Sequence, residues 1–223
     1  MAKLDVTPLK QPVAIRPEHI ATSTTSLRVA QHKSLSGADF TISTSPDTAT
    51  SSETPSTKLF SVDGHIASWR QRRHFRDASG LPLFELTRKS AGVTWYVRLP
   101  GDDTDAQPIA TIATRSSVLK DKFDVHLLNA AANGEEVVLE VRGQDVWKLR
   151  TNVYVNGAMV MTAKRTDKLS AYVPGKTLEW DVDVAEGLDA SLASVIVVLL
   201  GVLMYQSSYP SSFSGEASDS KAS

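Results

Sequence analysis

Between Leu188 and Tyr205 the chain reads LDASLASVIVVLLGVLMY, with one charge, Asp189, and no proline. No other stretch restricts the fold as much. A strand seldom runs this long, so length predicts a helix despite the valine and isoleucine content. Asp189 suits the N-cap, because its carboxylate can accept from the free amides of the first turn. The helix has no polar face, so no side of it can lie in water. Ser191, Ser194 and Gly201 fall on one stripe, and small residues there let the helix approach a wall closely.

Lipid or protein must therefore surround it. A lipid span needs roughly 20 apolar residues. Leu192 to Tyr205 supplies about 14, or about 21 Å at the helical rise. The flanks also lack the Lys or Arg anchors common at membrane borders. Enclosure by protein is the expectation, and a tail anchor in lipid is the alternative.

The rest of the sequence describes what could enclose it. TLEWDVDV alternates, with Leu178, Trp180, Val182 and Val184 on one face and Glu179, Asp181 and Asp183 on the other. That is the period of a strand with one wet side. VWKLRTNVYV does the same, with Trp147, Leu149, Val153 and Val155 set against Lys148, Arg150 and Asn152. Further runs are Leu27 and Val29; Phe40 and Ile42; Val93, Trp95, Val97 and Leu99; Phe123, Val125 and Leu127; and Val137, Leu139 and Val141. Turn signals separate them: Asp63-Gly64, DASG at 77–80, Pro100-Gly101, Asn133-Gly134, Asn156-Gly157 and Pro174-Gly175. Short strands joined by such turns predict an antiparallel barrel or sandwich of roughly ten to twelve strands. An eight-stranded barrel is filled by its own side chains, whereas a wider one needs a plug, and the apolar helix is a suitable one.

Between Ser43 and Thr57, ten of fifteen residues are Ser or Thr, with Pro46 and Pro55 added, which predicts a solvated loop. The tail, 207–223, is expected to be disordered for the same reason, and residues 1–11 to be a flexible N-terminus. The opening MAKLDVTPLKQPVAIRPEHI has no continuous apolar run, so no secretory leader is expected. The net charge of -1 gives no reason to expect a nucleic-acid partner. With no cysteine, disulfides, zinc–thiolate sites and thiol nucleophiles are excluded.

Three segments, taken in order, carry a family resemblance: LFSVDGHIASWRQRRHFRDASGLPLFEL, VYVNGAMVMTAKRTDK and VDVAEGLDASLASVIVVLLGVLM. The chain resembles the LURP-one-related family, which belongs with the tubby C-terminal domains, over about Pro12 to Gln206. The Asp-x-x-Gly turn at Asp77–Gly80 and the closing strand, Gly-x-Asp and apolar helix carry most of the likeness. The resemblance implies a mainly β domain, 12–206, folded as a closed antiparallel barrel of about twelve strands around the C-terminal helix. It implies kinship with phospholipid scramblases, so a scramblase-like protein with its helix in lipid joins the tail anchor as the alternative. It also implies a non-enzymatic, cytoplasmic protein, peripheral at membranes, that binds a phosphoinositide surface or a protein partner. A monomer without cofactor is expected.

Candidate sites are few. WRQRRHFRD is the densest basic run, and Arg70, Arg72, His74 and Arg76 share strand parity. A row of guanidinium groups suits phosphate, because each offers a planar fork of donors. Arg70, Arg72, Arg73 and Arg76 are the candidate lipid-binding residues, with Arg73 on the opposite parity. The alternative is a solvated outer face that keeps a strand soluble. Lys164, Arg165 and Lys168 form a second group, and Lys148 and Arg150 a third. GDDTD at 101–105 lacks the glycine and distal glutamate of a calcium loop and reads as a hairpin tip. His19, His32, His65, His74 and His126 show no metal-ligand spacing, and no Gly-x-Ser-x-Gly elbow or phosphate-binding glycine loop is present.

Overall fold

A computed structural model describes residues 5–32, 39–45, 56–64, 71–90, 92–102, 105–114, 122–145, 149–167 and 177–208. Twelve strands follow one another: β1 (Thr25–His32), β2 (Asp39–Thr44), β3 (Lys58–Gly64), β4 (Arg73–Asp77), β5 (Pro82–Arg88) and β6 (Thr94–Arg98). They continue as β7 (Ala110–Thr114), β8 (Lys122–Asn129), β9 (Glu135–Gly143), β10 (Arg150–Val155), β11 (Ala158–Arg165) and β12 (Glu179–Val184). Among the described residues one α-helix, α1 (Ala190–Ser208), comes last. Each strand pairs antiparallel with its sequence neighbour, and β1 closes the ring on β12, setting Leu27 opposite Val182 and Val29 opposite Trp180. Closure leaves no unpaired sheet edge.

The alternation read from the sequence is the inward–outward alternation of the wall. Val29, Ile42, Phe75, Leu86, Val97, Ile112, Val125, Leu139, Val153 and Val184 point inward with no exposed surface. Inside this ring lies α1. Val195, Ile196, Val197, Val198 and Leu199, five consecutive helical residues that face every direction, are all fully buried. The helix therefore has a wall on every side, as its lack of a polar face requires. Among the described residues, no helix is long and apolar enough to cross a membrane. Gly201 marks the closest approach: a Cβ built there would stand 3.0 Å from the Trp180 ring and 3.1 Å from that of Phe40.

The end of the barrel that α1 enters is closed by the chain's own beginning. Thr7 N donates to Met159 O (2.7 Å), Leu9 N to Glu186 O (2.9 Å) and Val13 N to Gly187 O (2.9 Å). These bonds begin inside residues 1–11, the segment expected to be a flexible N-terminus, and Val6 within it is buried. Two fully buried polar side chains hold this strap. Asn129 accepts from Ala14 N (3.0 Å) and donates to Pro12 O (2.9 Å). Asp189 accepts from Ile15 N (3.0 Å) and Arg16 N (2.8 Å) through one oxygen. Its other oxygen accepts from Ser191 N (2.6 Å), Ser191 Oγ (2.7 Å) and Leu192 N (3.3 Å). The N-cap is thus also the clasp of the N-terminal strap. Burial pushes the Asp189 carboxyl up, and the hydrogen bonds from Ser191, Arg16 and Leu192 pull against that.

Two details of the pattern differ from expectation. Val93 and Leu99 are 55% and 41% exposed and lie outside β6, because the strand ends in turns before its alternation does. Asn152, expected on a wet face, is buried; its Oδ1 accepts from Thr162 Oγ1 (3.0 Å), so two polar residues satisfy each other across the sheet. The Ser/Thr tract between β2 and β3 lies outside the described residues over 46–55, and at its base Thr57 N donates to Thr44 Oγ1 (2.9 Å). The expected tail lies outside them from residue 209, α1 running on to Ser208. Trp69 and Trp147 lie outside as well, while Trp95 and Trp180 are core.

Candidate functional site

β4 alternates as its sequence predicts. Arg73 and Phe75 are buried, while His74 and Arg76 lie on the outer wall. Arg72 precedes the strand, after Gln71 has turned the backbone at φ 49°. Arg72 Nε lies 3.5 Å from Glu85 Oε2, and His74 Nδ1 lies 3.2 Å from Glu85 Oε1. Glu85 is the cross-strand partner of His74 on β5, so register alone brings it there. Arg76 Nε lies 3.2 Å from Asp63 Oδ2 on β3. The outward row thus holds two arginines and a histidine against two carboxylates.

Arg73 does not join that row. Its Nη1 donates to the carbonyls of Gln71 and Arg72 (3.1 Å each), and its side chain lies on the inner side. Burial lowers its pKa to about 10, with the attraction of Asp39 working the other way. Arg70 lies outside the described residues. Of the weaker basic groups, Arg165 is buried, Arg150 and Lys164 face each other across β10 and β11, and Lys148 and Lys168 lie outside.

One hairpin further on is a cleft that sequence reasoning missed. It encloses about 240 Å³ on the outer wall of β5 and β6, lined by Thr87, Arg88, Lys89, Ser90, Tyr96, Arg98 and Asp105. The Arg98 guanidinium lies over the Tyr96 ring, 4.6 Å from its centroid. Arg98 also donates to Thr87 Oγ1 (3.3 Å) and to Ala106 O (3.4 Å). Arg88 Nε donates to Gly92 O across the turn (3.1 Å). The signal was present in RKSAGVTWYVR, but its cations are spread over two strands and a turn, so no local density marks them.

The sequence profile of the LURP-one-related family matches residues 25–201, which is all twelve strands and most of α1. The chain belongs to the LURP-one-related family. An Arabidopsis thaliana protein solved by X-ray crystallography is similar in fold, with a TM-score of 0.57 at 19% sequence identity. The alignment covers 86% of this chain and 98% of that one. No curated protein matches the chain.

Acidic residues of this LURP-one-related barrel have structural partners. Asp102 Oδ2 accepts from Leu99 N (3.1 Å), which makes it a turn residue. Asp181 pairs with Arg28 (2.8 Å), and Asp183 accepts from Ser26 Oγ (2.7 Å), both across β1 and β12. Among the described residues no group of three or more His, Cys, Asp or Glu could hold a metal ion.

Proposed function

We propose that this tubby-like barrel is a non-catalytic binding module whose outer wall takes the phosphate-bearing headgroup of a membrane lipid, a phosphoinositide above others. The observation that carries the reading is the outward row at β4, where His74 and Arg76 lie on the outer wall and Arg72, just before the strand, shares Glu85 with His74, while the lumen behind them is filled by α1. A ligand must then be met on the outside of the wall, and guanidinium forks suit phosphate. Arg70 belongs to the same basic run of the sequence. Arg73 serves from behind, bonded to the carbonyls of Gln71 and Arg72 where the row begins. The protein acts at the cytoplasmic face of a membrane as a peripheral monomer.

Vesicle sedimentation tests this. The intact protein should bind phosphatidylcholine vesicles doped with a phosphatidylinositol bisphosphate, and binding should weaken with salt because exposed charges are screened. Each cation near an anionic surface is worth about 1 kcal/mol, so replacing Arg70, Arg72 and Arg76 together with Ala should lower affinity by about two orders of magnitude. No binding of the intact protein at low salt would overturn the reading and leave a protein partner as the ligand.

A further inference from the structure

We propose that the cleft between β5 and β6 is the anion pocket of this wall, built for a phosphate group on a compact polar body. This rests on the outer-wall reading above and moves the principal contact from β4 to the β5–β6 hairpin.

The argument begins with which cations are already occupied. On β4, Arg72 and His74 face Glu85, Arg76 faces Asp63, and the buried Arg73 feels Asp39. An anionic ligand there must compete with those carboxylates. In the cleft the balance is different. Among the described residues neither Arg88 nor Lys89 has a carboxylate within ion-pair distance, and Lys89 is exposed. Arg88 and Lys89 thus bring two positive charges to the cleft, and Asp105 is the carboxylate among its described lining residues.

Shape and donors agree with charge. Thr87, Ser90 and Tyr96 line the same space, so hydroxyl-bearing residues accompany the cations. Arg98 is held in place by stacking on Tyr96 and by its bond to Thr87, so it loses little freedom when a ligand arrives. The Tyr96 ring offers an apolar surface for the ring or chain that carries the phosphate. A concave site with few placed polar groups is the usual form of a small-ligand pocket. Phosphate chemistry has two sources here, a lipid headgroup and a free phosphate compound, and the pocket chemistry is common to both.

The test uses the full chain, inorganic pyrophosphate as the free probe, and phosphatidylcholine vesicles with or without a phosphatidylinositol bisphosphate as the membrane probe. Pyrophosphate should shift the amide resonances of Thr87, Lys89 and Tyr96 more than those of Arg72 and Arg76. Binding of doped vesicles as well assigns a lipid source; binding of pyrophosphate alone assigns a soluble one. Replacing Arg88 and Lys89 with Gln should weaken binding about thirtyfold, or about fivefold per cation lost. Asp105→Asn should strengthen it, which no folding defect can imitate. The pocket is overturned if the Arg88 and Lys89 double variant binds vesicles like the parent while Arg72→Ala with Arg76→Ala loses binding; the outer-wall reading would then stand. It is also overturned if the intact chain binds neither probe, and that result would take the outer-wall reading with it.

Discussion

Gly201 of α1 lies against Trp180 of β12, so close that a Cβ built on the glycine would stand 3.0 Å from the tip of the indole. Phe40 of β2 crowds the same point at 3.1 Å. Alanine would favour the helix by about 1 kcal/mol over glycine. Overpacking a full core costs about 1–3 kcal/mol, and both aromatic neighbours are only 2% exposed and cannot swing away. The second effect wins. Gly201→Ala should lower stability by about 1 kcal/mol and Gly201→Val by more, read from chemical denaturation. A rise in stability for Gly201→Ala would show that the ring pair yields.

Asp189 joins the first turn of α1 to the N-terminal strap through bonds to Ile15, Arg16, Ser191 and Leu192. Asp189→Ala would leave buried amides without acceptors at both places, at about 1–3 kcal/mol each. We expect a loss of about 3–5 kcal/mol and faster hydrogen exchange at Ile15 and Arg16. Asp189→Asn keeps the shape but turns an amide donor toward donors, and should cost about 2–3 kcal/mol. An asparagine variant as stable as the parent would assign the contact to shape alone.

The turn between β4 and β5 carries an acid-sensitive contact. The Ser79 hydroxyl and the amides of Leu81, Ser79 and Gly80 hold the Asp77 carboxyl below its ordinary value of 3.8. A carboxyl depressed in the folded state stabilises the fold above its unfolded pKa and loses that contribution as pH falls through the folded pKa. NMR titration should place the Asp77 midpoint below 3.8, and Asp77→Asn should flatten that part of the acid limb of stability. A midpoint at or above the ordinary value would refute the contact.

Val198 is fully enclosed, midway along α1. Val198→Asp places an unpaired carboxylate there, costing several kcal/mol, enough to unfold a domain of ordinary stability. Ending the chain after Glu186 removes the plug altogether, and a hollow twelve-stranded wall should be insoluble or molten. A soluble truncated chain with a cooperative melt would mean that the wall closes without its helix.

Arg73→Met separates the inner arginine from the outer row. The substitution takes a donor from the carbonyls of Gln71 and Arg72 and a cation from Asp39. Stability should fall by about 1–3 kcal/mol, and vesicle binding by the folded protein should not change. Weaker binding would place Arg73 in contact with the ligand.

What the sequence determined by itself was the class of fold. Strict alternation at Trp180, Val182 and Val184, and its recurrence from Leu27 to Val155, is a local property of the chain. So is the apolarity of 192–205, which admits only surroundings without water. Of the stripe of Ser191, Ser194 and Gly201, Gly201 is where α1 comes close to its wall, against Trp180 and Phe40. Tertiary structure decided what depends on partners far apart in the chain. Asp189 reads as a helix cap because the cap is local, whereas its clasp on Ile15 and Arg16 joins residues more than 170 positions apart. The run at 70–76 looks like a free cationic site until register sets Glu85 beside His74 and Asp63 beside Arg76. The cleft at Arg88, Lys89 and Arg98 has no sequence density, because two strands and a turn must meet before its charges share one space. Hydrophobic period is written residue by residue, but the balance of charge at a surface is set by pairing, and pairing exists only once the barrel has closed.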